Sequence, residues 1–330
     1  MNMSGAMAEG SPALSVVMPV RNGAAYLEPA VQSVLDQTFA DFEFIIIDDG
    51  STDETPALLA ILAGQDARIR TLRTSGEGIV AALKLGFRTA RGELIARMDA
   101  DDIALPNRFA VQIEVLRKSP QFVGIGGSAI IIDMHGNETG WMKVPTDAHA
   151  AMAELLRRNS FLHPTMMLRR DAVIAAGLFR PACIYAEDYD LWLRLAERGE
   201  MANLDEPMIR LRLHALQTSK TRRLTQRAAT AFARQLALRR RSGHPEGMDM
   251  TLPLHTALKF FLQQWSEGQG TSERSERKDI EIILREVHHE LDAAMVKKII
   301  RLLRSGGTLK GIVLLRLKLA LTKKRPPGRA

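Results

Sequence analysis

Up to about residue 100, two hydrophobic patterns take turns along the chain. Short, nearly unbroken apolar runs, Leu14-Ser15-Val16-Val17-Met18-Pro19-Val20 and Phe44-Ile45-Ile46-Ile47, have the length and β-branched content of buried strands. Asn22-Gly23 ends the first run and Asp48-Asp49-Gly50-Ser51 the second. Between them Leu27, Ala30, Val31, Val34 and Leu35 recur at helical spacing and predict a crossover helix. The alternation continues with a helix over Glu54 to Ala63, a short strand over Ile69 to Leu72, a helix marked by Ile79, Leu83 and Phe87, and a strand over Glu93 to Met98. Strands alternating with helices predict an α/β fold with a doubly wound, mostly parallel sheet flanked by helices.

After Asn107 a helix is expected to about Lys118, stopped by Pro120. A strand-like run over Phe122 to Ile132 is followed by the turn Asp133-Met134-His135-Gly136-Asn137. A helix over about Ala148 to Arg158, a short strand over Thr165 to Arg169, an amphipathic helix carrying Tyr189, Leu191, Trp192 and Leu195, and a last strand over Met208 to His214 complete the pattern. Beyond Thr218 the chain turns helical, basic and rich in Leu and Ala. The expected organisation is a flexible N-terminus over 1–13, an α/β domain over 14–220, and a helical, basic C-terminal extension over 221–330.

Charge changes the picture in one respect. From Lys297 onward there are eleven Lys/Arg and no acidic residue, and removing those eleven from the net +7 leaves −4 on the first 296 residues. The basic character belongs to a tail, which argues against a nucleic-acid partner for the body. In the tail, Lys310 to Leu321 is an apolar stretch flanked by cations, too short and too charged to span a bilayer but suited to an anionic interface. A packed helix with a solvated charged end is the competing reading. The single cysteine, Cys183, excludes an intramolecular disulfide. With no signal pattern at the N-terminus, the expectation is a cytoplasmic protein, with peripheral contact at the inner face of the membrane through the tail.

Candidate chemistry concentrates where strands end. Asp99-Ala100-Asp101-Asp102 follows a predicted strand, and open α/β sheets bind ligands beyond the carboxyl ends of their strands. Carboxylates so close together suit a hard divalent cation, which is usually completed by substrate phosphates; capping of the next helix is the alternative. Asp48-Asp49-Gly50-Ser51 sits at the same end, where a carboxylate can accept from a base N–H or a ribose hydroxyl, or merely form an Asx-turn. Glu187-Asp188 precedes a helix, where a carboxylate can take the proton of an attacking hydroxyl or act only as a cap. Arg97 lies two residues before Asp99 and faces either a phosphate or an Asp.

Four segments in this order resemble the family 2 glycosyltransferases, inverting enzymes of the GT-A fold: Val17-Met18-Pro19-Val20-Arg21-Asn22, Ile47-Asp48-Asp49-Gly50-Ser51, Ala90 through Asp102, and Ala186-Glu187-Asp188-Tyr189-Asp190-Leu191-Trp192. The resemblance covers residues 14 to about 219. It implies a nucleotide-sugar site made by Pro19, Val20, Asn22, Asp49, Ser51, Arg97, Asp99, Ala100 and Arg212, with Pro19 and Asp49 against a uracil. It implies Mn²⁺ or Mg²⁺ held by Asp101 and Asp99, with His214 of the Arg210-Leu211-Arg212-Leu213-His214 segment as a further ligand. Asp188 would be the general base, with Glu187 and His163 on the acceptor side. The Gln-x-x-Arg-Trp segment of processive members has no counterpart, since Gln263-Gln264-Trp265 does not fit it, so one sugar is expected per encounter.

The expected activity is therefore transfer of a single sugar from a nucleotide-sugar, a UDP-sugar first, to a saccharide or lipid-linked acceptor in polysaccharide biosynthesis. Two alternatives stand beside it. A nucleotidyltransferase acting on sugar phosphates would need a Gly-rich basic loop after the first strand, where Pro19-Val20-Arg21-Asn22-Gly23 has one Gly and one Arg. A catalytically silent nucleotide-sugar- or membrane-binding protein would have no use for both Asp101 and Asp188.

Overall fold

The structure, a computed structural model, describes residues 11–213, 222–267 and 274–304. His214, the linker around 268–272, the first ten residues and the tail from 305 onward lie outside the described residues.

The described residues form two compact units, one of residues up to 179 and 191–217, the other of 180–190 and the residues from 218. The first unit is built on β1 (Leu14–Val20), β2 (Phe42–Asp49), β3 (Ile69–Thr74), β4 (Leu94–Arg97), β5 (Ile103–Ala104), β6 (Phe122–Ile132), β7 (Glu138–Met142), β8 (Met167–Arg169) and β9 (Glu200–Arg212). Its helices are α1 (Ala24–Leu35), α2 (Thr55–Gln65), α3 (Ile79–Thr89), α4 (Arg108–Lys118), α5 (Ala148–Glu154), α6 (Arg170–Ala175) and the greater part of α7 (Glu187–Leu195). All nine strands join one sheet in the order β3-β2-β1-β4-β8-β6-β9-β5, with β7 added on β6.

The sheet has two halves. β3, β2, β1 and β4 are parallel neighbours, as the strand–helix alternation predicts. Past β4 the sheet is mixed: β8 runs antiparallel to both β4 and β6, while β6 and β9 are parallel. β9 begins at Glu200, eight residues before the expected strand. Its register against β6 slips between Gly127, opposite Leu204, and Ser128, opposite Pro207. That irregularity accommodates a proline with no N–H to donate, and the proline is what interrupts a sequence reading of the strand.

The period of two along each parallel strand separates the faces. Val16, Met18 and Val20 of β1 and Phe44 and Ile46 of β2 share a buried cluster with Leu27, Val31 and Val34 of α1, Leu59 of α2, and Phe109 and Ile113 of α4. The opposite face takes α3, where Gly86 comes so close that a Cβ would lie 2.5 Å from Val17 Cγ1 and 2.7 Å from Ile47 Cδ1. Sheet and helices together bury Asp48 and Asp49 at the end of β2.

The second unit is helical: α8 (Arg223–Arg241), α9 (Leu254–Glu267), α10 (Arg274–Val287) and α11 (Ala293–Arg304). Phe232 and Phe261 pack edge to face at 5.4 Å between α8 and α9. Arg234 and Gln235 of α8 hold the buried carboxylate of Asp279 on α10. Among the described residues no helix is long and apolar enough to cross a membrane.

Candidate active site

Register places Val20 beside Asp48 and Val17 beside Arg97, so β1, β2 and β4 deliver their following loops to one edge of the sheet. The first loop turns at Asn22, in the left-handed region at φ 51°. Asn22 N–H donates to Ser51 Oγ at 2.9 Å, and Asn22 Oδ1 accepts from Thr52 N–H at 2.8 Å. Asn22 and Ser51, expected to line a nucleotide pocket, thus bind the first loop to the second. Pro19 and Val20 are buried at the end of β1, and a Cβ on Gly23 would lie 3.9 Å from that of Ala100, so the first loop also neighbours the acidic turn.

The two aspartates that close β2 divide the work. Asp48 Oδ1 accepts from Ser51 N–H at 2.8 Å and makes the turn. Asp49 Oδ1 accepts from Thr74 Oγ1 at 2.6 Å and its Oδ2 from Gly78 N–H at 2.9 Å, with Arg21 Nη1 at 3.8 Å. Each oxygen keeps a second lone pair for a ligand N–H. Gly50, at φ 69°, is fixed in kind: a Cβ there would lie 2.7 Å from Gly76 N. Thr74 and the loop to Gly78 are site residues the sequence analysis missed; two glycines in four positions after β3 were the available signal.

Oxygens of Asp99, Asp101 and Asp102 all lie within 4.8 Å of one another. Asp99 and Asp101 are half-buried and Asp102 is buried. Asp102 Oδ1 accepts from Arg212 N–H at 2.8 Å. Burial first, then the charges of Asp99 and Asp101, push the Asp102 carboxyl well above the usual range despite that hydrogen bond and the nearby Arg97. Three all-oxygen donors under mutual repulsion, two of them open to solvent, are a set that a hard divalent cation fits.

Three arginines shape this turn. The buried Arg97 guanidinium forms an ion pair with Asp99, one of its two sequence readings. Arg108, buried on α4, donates to the Arg97 carbonyl at 2.8 Å and to Gln112 Oε1 at 3.2 Å. Burial and the Arg97 charge lower it to about 9. No sequence signal marks Arg108, because its spacing is that of any helix-start cation. Arg212 donates from Nε to the Asp101 carbonyl at 2.9 Å and from Nη1 to those of Asp133 and Met134 at 3.1 and 3.2 Å, and it covers the Tyr26 ring at 4.6 Å. Its guanidinium braces the acidic turn against the β6–β7 turn.

His163 starts the 3-10 turn His163–Thr165. Its ring is 5.6 Å from Trp192 and 5.7 Å from Phe179, and burial, aided by the Arg97 charge, pushes it well below the usual imidazole value, so it is neutral. Glu187 and Asp188 open α7, both half-buried, within the segment that belongs to the second unit. A helix N-terminus favours a carboxylate in its charged form.

Comparison with known proteins gives this geometry its place. The profile of glycosyl transferase family 2 matches residues 15–177. The O-antigen biosynthesis glycosyltransferase WbnJ of Escherichia coli is 31% identical over 216 residues, covering 63% of this chain and 82% of that protein. Among solved structures, Staphylococcus aureus TarS 1–349 in complex with UDP-GlcNAc superposes with a TM-score of 0.56 at 14% identity, over 87% of this chain and 83% of that one. The mannosyltransferase PcManGT from Pyrobaculum calidifontis, in complex with GDP-Man and Mn²⁺, gives 0.52 at 18% identity, over 96% and 82%. At those identities the two structures speak for a shared GT-A fold. The acidic edge, the fold and the relatives agree: the chain belongs to glycosyl transferase family 2.

Proposed function

We propose that this protein moves one sugar per encounter from a nucleoside-diphosphate sugar, a UDP-sugar first, to a saccharide or lipid-linked acceptor in surface polysaccharide biosynthesis, with inversion at the anomeric carbon. The observation that carries the reading is the convergence of Asp99, Asp101 and Asp102 beside the loops that close β1 and β2. The complexes of TarS with UDP-GlcNAc and of PcManGT with GDP-Man and Mn²⁺ support the donor class. The O-antigen relative supports the pathway class.

In this reading Asp49 accepts a hydrogen bond from the base, and Pro19 and Val20 wall the pocket. Asp101 and Asp99 hold a divalent cation, Mn²⁺ or Mg²⁺, with His214 as a further ligand from outside the described residues. When bound, that cation neutralises charge growing on the departing diphosphate. Arg97 pairs with Asp99 and holds its carboxylate in place, and Arg108 and Arg212 hold the turn's main chain. Asp188 accepts the acceptor hydroxyl's proton as its oxygen bonds to the anomeric carbon and the carbon–oxygen bond to the diphosphate breaks. Glu187 and His163 are assigned to the acceptor side. The basic tail is assigned to an anionic membrane surface; Lys297, Lys298 and Arg301 of α11 are its exposed described members.

The test is nucleotide release from UDP-sugars and GDP-mannose with Mn²⁺ and a mixed saccharide acceptor. Asp188→Asn should lose about 10²–10⁴-fold in transfer, the usual contribution of a general base, and keep its affinity for UDP. Near-normal turnover in Asp188→Asn, or activity of the wild type in EDTA, would refute the assignments.

A further inference from the structure

Three buried polar atoms, two of them on residues already given other roles, are left without a hydrogen bond. Among the described residues, Arg97 Nε, His163 Nε2 and Trp192 Nε1 are buried without a hydrogen-bond partner. Arg97 and Trp192 are almost wholly inaccessible, at 5% and 0% exposure. Leaving a buried donor unmet costs free energy comparable to a lost hydrogen bond, so such groups call for an explanation. All three belong to the first unit. The His163 and Trp192 rings meet edge to face at 5.6 Å, and Arg97 N–H donates to the carbonyl of Met166, whose own N–H donates to that of His163.

Their place along the sheet edge suggests what they await. β4 lies between β1 and β8. β8 runs antiparallel to β4 with Met167 opposite Ala96, so the His163–Thr165 turn that enters β8 stands at the same edge as the acidic turn. Asp49 and its loop stand on the other side, beyond β1. A nucleoside-diphosphate sugar laid along this edge with its base at Asp49 and its diphosphate at the acidic turn directs its sugar toward β8.

We propose that Arg97, His163 and Trp192 together read the hydroxyl groups of the transferred hexose, and so set donor-sugar specificity. The inference rests on the glycosyltransferase reading and extends it to the sugar. The chemistry is complementary: guanidinium Nε–H and indole N–H can only donate, and hexose hydroxyls offer lone pairs. A neutral imidazole nitrogen can exchange a hydrogen bond with a hydroxyl in either direction. Arg97 would then serve two groups at once, Asp99 through its end and a sugar oxygen through Nε.

The experiment is calorimetric titration of the full chain with Mn²⁺ and, in turn, UDP, UDP-glucose, UDP-GlcNAc, GDP and GDP-mannose. Trp192→Phe keeps the ring and removes the N–H; His163→Asn, at a partly accessible residue, carries the same test should Trp192→Phe fail to fold. The expected result is that wild type binds one sugar nucleotide at least about tenfold more tightly than its parent diphosphate, the worth of one well-made hydrogen bond. Each folded variant should lose that increment and keep its affinity for the diphosphate. A folded variant that retains the increment overturns the inference and leaves these atoms to an enclosed water. Equal binding of sugar nucleotides and diphosphates by wild type also overturns it while leaving the transferase reading intact. Absence of any nucleotide binding removes both.

Discussion

The two ends of the parallel half-sheet each hold buried carboxylates beside arginines, yet they are built to opposite purposes. At the end where strands begin, Glu43 Oε1 accepts from Ser15 Oγ at 2.7 Å and Arg91 N–H at 2.7 Å, and its Oε2 from Arg91 Nε and Arg70. Burial would raise its carboxyl, but the Arg91 N–H, Ser15, Arg70 and the Arg91 charge outweigh burial and hold it below the usual range. At the end where strands finish, Asp102 has burial and two like charges against it and is pushed upward. A carboxylate serving the fold is saturated with donors. The three at the acidic turn crowd oxygens within 4.8 Å of one another, a set whose mutual repulsion a cation would relieve.

The contrast can be broken most forcefully at Asp101. Asp101→Ala should reduce transfer at least about 10²-fold and remove the added thermal stability that Mn²⁺ with UDP confers, while metal-free stability holds or rises as repulsion is relieved. A large loss of metal-free stability would make the turn structural and erase the distinction.

Glu43→Ala should behave in the reverse way. It removes the acceptor of the Ser15 hydroxyl and one of the two acceptors of Arg91 N–H, and should cost about 2 kcal/mol in urea unfolding, below the value for a wholly buried pair because Arg70 and Arg91 reach solvent. Transfer per folded molecule should be unchanged.

Asp102→Asn sharpens the comparison between two buried carboxyls. The metal-free protein should change by only about 0.5 kcal/mol or less, because burial and two like charges already disfavour the ionised carboxyl and an amide oxygen can still accept from Arg212 N–H. A loss as large as that of Glu43→Ala would mean that the charged form of Asp102 is held by the fold.

The smallest effect is in pH. Glu43 is depressed in the folded state, so its contribution is fully present above the unfolded value near 4.5 and fades as pH falls through the lower folded value. The stability gap between wild type and Glu43→Gln should therefore be constant from neutrality to about pH 5 and narrow below it. A gap that widens on acidification would contradict the assignment.

Much of the first unit was legible because local patterns coincide with its layers. β1 and β6 lie where their apolar runs predict, and Asp49 and Asp99 follow strands that end at one edge. What was not legible shares a cause. Thr74 and Gly78 hold Asp49 from β3 and its loop, and Arg108 supports the turn from a helix. Glu43, within an apolar strand, gave no sign of the partners waiting at residues 15, 70 and 91. Nor did the sequence show that Arg212, expected at the nucleotide, also donates to the carbonyls of residues 101 and 133.

Hydrophobic period and turn residues by themselves determined the alternation of strands and helices from β1 to β4 and set the acidic motifs at strand ends, because those properties act over a few residues and burial enforces them. The tertiary structure alone decided that β8 enters antiparallel beside β4, that Arg97 pairs with Asp99, and that His163 meets Trp192 near a common edge. Those contacts join residues far apart in the chain, and whether a buried charge is satisfied or left wanting depends on which distant donors the packing brings to it.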